Sequence, residues 1–98
     1  MRKIDEAMCE AVKNRKNFER SNTRVQVRDG GNWVKVFLHD NLIYTSCQES
    51  GKAQFTLAGW DTNTTRSRLR ALGVDVRHVN GVPVYKGEVI NDEKWYFV

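Results

Sequence analysis

The apolar positions of this chain follow two different periods. Between residues 3 and 18, Ile4, Ala7, Met8, Ala11, Val12 and Phe18 recur at three- and four-residue spacing, the stripe of an amphipathic helix with one buried side. Asp5, Glu6 and Glu10 lie toward its start and Lys13, Arg15 and Lys16 toward its end, the order that the helix dipole favours. The three carboxylates are expected on the solvated face. From residue 23 onward the period shortens to two: Val25 and Val27 alternate with Arg24, Gln26 and Arg28, and Val34, Val36 and Leu38 alternate with Trp33, Lys35, Phe37 and His39. The stretch Trp33 to Cys47 is the most strongly patterned, with two β-rich runs flanking His39-Asp40-Asn41, residues that tolerate the conformations of a tight hairpin. Apolar groups on both faces of its first run predict a central strand covered on each side.

Turn signals divide the remainder. Asp29-Gly30-Gly31-Asn32 joins the first two strands, and the polar loop 48–52 leads into a fourth strand over 53–57, giving an antiparallel meander. Thr62-Asn63-Thr64-Thr65 offers N-caps for a second helix, which Gly73 ends. That helix is about two turns long and needs Leu69, Leu72 and Trp60 to hold it on the sheet. Asn80-Gly81 marks a two-residue hairpin that sets Val79 opposite Val82, Arg77 opposite Val84 and Asp75 opposite Lys86. Pro83 lacks a ladder donor and points to an edge strand. The aromatic tail 94–98 is expected to dock as a last short strand. The fold class expected is α+β, one compact domain over residues 1–98 with an antiparallel sheet of five to seven strands, a long N-terminal helix and a short second helix.

Composition narrows function more than it assigns it. A chain of 98 residues can bury one modest core but leaves little room for an enclosed active site. No run approaches the roughly 18 apolar residues of a membrane span, and the N-terminus has no apolar signal core, so an intracellular protein with no membrane partner is expected. Cys9 and Cys47, with His39 and His78, match no zinc spacing and read as reduced structural thiols; no metal or cofactor site is evident. The net charge of +4 and pI near 9.3 favour an acidic partner, either nucleic acid or an acidic protein face.

No constellation points to catalysis. His39 and Asp40 beside Cys47 superficially offer a base, an acid and a nucleophile, but neighbours on a strand project to opposite faces and form no relay. A phosphate-binding glycine loop is absent. Two candidate binding surfaces remain. On the first, Arg24, Arg28, Trp33, Lys35, Phe37 and His39 share an outer sheet face where basic and aromatic groups interleave, as on single-stranded nucleic-acid platforms. The competing and preferred explanation is that Trp33 and Phe37 lie beneath the first helix or the C-terminal strand. On the second, Thr62, Thr64, Thr65, Arg66, Ser67 and Arg70 bring hydroxyl and guanidinium groups to a helix N-terminus, suited to phosphate or carboxylate, with a solvated cap as the alternative.

Residues 36–43 (Val-Phe-Leu-His-Asp-Asn-Leu-Ile) and 59–72 (Gly-Trp-Asp-Thr-Asn-Thr-Thr-Arg-Ser-Arg-Leu-Arg-Ala-Leu) resemble segments of small proteins encoded by T7-like tailed bacteriophages. The likeness extends loosely to the N-terminal helix and residues 21–25. It implies a genetic setting, a virus in the cytoplasm of a bacterial host, and transfers no functional residue. The expected function is a small non-enzymatic binding protein, a host-takeover or anti-defence factor directed at a host protein. The alternative is a nucleic-acid-binding accessory protein that uses the basic and aromatic surface.

Overall fold

The computed structural model describes residues 2–98. The apolar stripe near the N-terminus forms helix α1 (Lys3–Asn14), which stops four residues short of Phe18 although no glycine is present to end it. Arg15 adopts the left-handed conformation at φ 52°, and the N–H groups of Arg15 and Lys16 donate back to the carbonyls of Val12 and Ala11, a Schellman closure made by an arginine. Phe18, released from the helix, opens a strand absent from the sequence-based expectation: β1 (Phe18–Arg20) pairs with β2 (Thr23–Arg28) across a turn in which Ser21 has positive φ.

The meander follows as β2, β3 (Trp33–Leu38), β4 (Asn41–Cys47) and β5 (Lys52–Phe55), antiparallel throughout. His39 and Asp40 both take positive φ between β3 and β4, the geometry of the hairpin turn that suits right-handed strand twist. A bulge between Val36 and Phe37 changes the register of β4, so both Ile43 and Tyr44 are buried while Leu42 pairs with Phe37. Helix α2 (Asn63–Ala71) is capped by Thr62, whose side chain accepts from the Thr65 N–H.

The last third makes a second sheet of its own, β6 (Val76–Val79), β7 (Val82–Tyr85) and β8 (Glu88–Val89), before β9 (Tyr96–Phe97) returns to pair with β5. The result is α+β with two antiparallel sheets, a six-stranded one in the order β1-β2-β3-β4-β5-β9 and a three-stranded one. The expected pairs Val79 with Val82 and Arg77 with Val84 form, and the aromatic tail docks as expected. Two expectations fail there. Asp75 pairs with Arg77 on its own strand side instead of with Lys86. Pro83 lies in the central strand β7, where the missing donor is tolerated because β8 ends beside it: the Pro83 carbonyl accepts from Ile90 N–H, so its ring nitrogen faces the point where that two-residue strand stops.

Met8 and Ala11 of α1, Leu69 of α2 and Val76 of β6 pack with Val25, Val34, Val36 and Phe55 in one core on the inner face of the large sheet. Phe55 lies at its centre, edge-on to Tyr85 at 4.8 Å and tilted against Tyr96 at 5.8 Å. Both helices and the small sheet therefore cover the same side. The other face of the large sheet is left open.

Candidate functional site

Paired residues in a sheet project to the same side, so the register assembles the outer face in rows. One row runs Arg24, Phe37, Leu42; the next Gln26, Lys35, Thr45, Gln54, Phe97; the third Arg28, Trp33, Cys47, Lys52. Among the described residues no helix lies over them. The expectation that Trp33 and Phe37 would lie beneath the first helix or the C-terminal strand fails: α1 packs on the opposite side and β9 extends the sheet beside β5, leaving Trp33 39% exposed and Phe37 half-buried beneath the Arg24 guanidinium. Cations fill the gaps between rings. The Arg24 guanidinium sits 4.4 Å from the Phe37 ring centre and the Lys52 ammonium 5.9 Å from that of Phe97. Stacking on Phe37 leaves the Arg24 Nε buried without an acceptor, and Asp40 lies 3.9 Å from the same guanidinium. Arg24, Arg28, Lys35 and Lys52 outnumber the two carboxylates at that end of the rows, Glu19 beside Arg24 and Asp40 in the turn, so the face is positive.

Cys47 lies in the third row, where hydrogen bonds from the Ser50 backbone and hydroxyl hold its thiol below the ordinary range. His39 and Asp40 occupy the turn at the far end of β4, so the three residues do not meet.

The surface expected at the start of α2 is not assembled. Thr65 is buried, its hydroxyl 3.0 Å from that of Thr62. Arg66 points inward, paired with Asp61 and donating to Asn63 Oδ1 at 2.6 Å, so its guanidinium is already satisfied. Arg70, four residues on, is exposed and reaches toward the Val76 carbonyl at 3.5 Å. A spacing of four puts two residues on one side of a helix, but the two stems depart in different directions here because Asp61 draws the first back to the N-terminus.

The most buried charge is one that sequence reasoning left on the surface. Asp5, expected on the solvated side of α1, is 2% exposed and accepts from Arg68 Nη1 at 2.7 Å and from the Ser67 hydroxyl at 2.8 Å. Arg68 also donates to Thr23 Oγ1 at 2.9 Å and to Asn22 Oδ1 at 3.3 Å. The signal lay in the spacing, since Asp5 stands three residues before Met8 and shares its stripe.

A cleft of about 520 Å³ opens between the β3–β4 turn and the start of α2. Leu38, Ile43 and Leu57 form its apolar floor, and His39, Asn41 and Thr64 its polar rim. Trp60, expected to clamp α2 to the sheet, instead stands as one wall with 61% of its surface exposed.

The fold and these surfaces define an α+β domain with one covered and one open sheet face. Its family model match spans residues 1–97 and is described as Kyanoviridae Gp96 protein, so the chain belongs to that family of phage proteins. Kyanoviridae are T4-like myoviruses, which corrects the T7-like affinity drawn from the two short segments while keeping the phage origin. No curated protein and no solved structure matches the chain. Among the described residues, no helix is long and apolar enough to cross a membrane.

Proposed function

We propose that this phage protein acts by binding and without catalysis, and that it takes single-stranded nucleic acid on the open face of the large sheet inside the infected cell. One observation carries the reading: the uncovered rows alternate rings with cations, Arg24 on Phe37, Lys35 between Phe37 and Trp33, and Lys52 against Phe97. Every base has a π-face, so exposed rings and a guanidinium plane accept bases without needing sequence, while the cations neutralise phosphates. Uncovered rings on a solvated sheet lower solubility unless they meet a partner.

Titration of labelled single- and double-stranded oligonucleotides tests it. Preference for single strands, lost in Trp33→Ala/Phe37→Ala, is the expected result; equal affinity for a duplex or none at physiological salt counts against it.

A second reading, attachment to a host protein in host takeover or anti-defence, is favoured by a different place. Val79, Val82 and Val89 leave an apolar outer face on the small sheet. A discrete host protein retained after nuclease treatment, and released by Val82→Lys, is what this reading expects.

A further inference from the structure

We infer that the cleft between the β3–β4 turn and α2 is a pocket for one extruded base of the bound strand, a claim that rests on the nucleic-acid reading and gives it a specific anchor. About 520 Å³ lies within the range of small-ligand pockets, and its lining divides as a base divides: apolar floor, flat aromatic wall, polar rim. Leu38, Ile43 and Leu57 are buried and apolar, offering one face against which a ring can lie. Trp60 supplies a mostly exposed indole for the other. Extruded bases are held in this way, stacked between aromatic and apolar groups and hydrogen-bonded along an edge. The Asn41 carboxamide and the Thr64 hydroxyl on the rim can each donate and accept, which suits such an edge.

Leu38 pairs with Asn41 and both line the cleft; the preceding pair, Phe37 with Leu42, lies on the outer face. Successive pairs project to opposite sides, so the His39-Asp40 turn is the rim around which a strand passes from the platform into the cleft. Arg24 stacks on Phe37 at that same end of the sheet, 3.9 Å from Asp40 in the turn. Arg24 and Phe37 thus adjoin the turn that separates the platform from the cleft.

The test uses the whole protein and a fluorescein-labelled oligothymidylate of twelve units, beside an abasic strand of the same length. Trp60→Ala is expected to weaken oligothymidylate binding by about tenfold, to leave abasic binding unchanged and to keep the salt slope, with Trp60→Phe recovering most of the loss. Circular dichroism and the melting midpoint check that each variant is folded, and Asn41→Leu provides a second variant on the rim that should weaken oligothymidylate and not abasic binding. Unchanged oligothymidylate affinity in both variants, with wild type binding and its salt slope intact, overturns the pocket and leaves the platform standing. Equal loss on oligothymidylate and abasic strands also overturns it. No binding by wild type removes both claims.

Discussion

Asp5 and Arg68 meet at 2.7 Å, 63 residues apart in sequence, with 2% and 3% of their side chains exposed. Together with Thr23 and Ser67 they tie α1, α2 and β2 at one buried point. Charges taken so far from water are tolerated only when every group is satisfied, and here the guanidinium reaches three acceptors and the carboxylate two donors.

Removing one partner leaves the other buried and uncompensated. Asp5→Ala should destabilise the fold by about 3–5 kcal/mol, measured by urea unfolding, whereas Asp5→Leu/Arg68→Met should recover most of the loss because apolar groups of similar volume need no compensation. Equal loss in single and double variants would show that the pair does not act as a unit.

Val36 is fully buried beside Val25 and Tyr44 on the inner face. Val36→Ala should cost roughly 1–3 kcal/mol, and an unchanged melting midpoint would contradict the register of β3.

The regular elements were legible because the period of the pattern reveals which face is buried. The meander, the Asn80-Gly81 hairpin, the Thr62 cap and the docked tail all followed from local signals. What was hidden depends on partners distant in the chain. Arg15 closes α1 where a glycine would have announced the end, and Asp61 turns Arg66 inward. Trp33 and Phe37 were expected under cover because apolar groups on both strand faces ordinarily mean two covering layers; only the placement of both helices on one side shows otherwise.

Arg66 and Arg70 now separate. Arg66→Glu sets a carboxylate against Asp61 in a buried position and should lower the melting midpoint markedly, while Arg70→Glu, on an exposed side chain, should leave it nearly unchanged. Neither arginine lies on the open sheet face, so a folded Arg70→Glu variant should retain oligonucleotide affinity to a greater degree than Lys35→Glu.

The two thiols should diverge with pH. Ser50 hydrogen bonds lower the Cys47 thiol, while burial, aided by the Asp5 carboxylate, raises that of Cys9. A lowered folded value means that Cys47 favours the folded state as pH rises through its folded value toward the ordinary thiol range, and that this is lost as pH falls through the folded value. Cys9 does the opposite, favouring the folded state below the ordinary range and losing this as pH rises through its raised value. Alkylation followed by peptide mass spectrometry, with each thiol normalised to its own plateau rate so that the deeper burial of Cys47 cancels, should give a lower pH midpoint for Cys47 than for Cys9; a Cys47 midpoint at or above that of Cys9 would contradict the hydrogen bonding of β4 and its loop.

The open sheet face is tested most directly by the salt dependence of oligothymidylate binding. Each phosphate neutralised on a single strand contributes about 0.7 to the slope of log affinity against log salt. Wild type should bind more tightly than about 10⁻⁴ M at physiological salt with a falling linear slope, and Arg28→Glu/Lys35→Glu, folded, should bind more weakly with a slope smaller by about 1.4. Affinity at or below that weak limit, or a slope that the double variant leaves unchanged, would contradict the assignment of this face to nucleic acid.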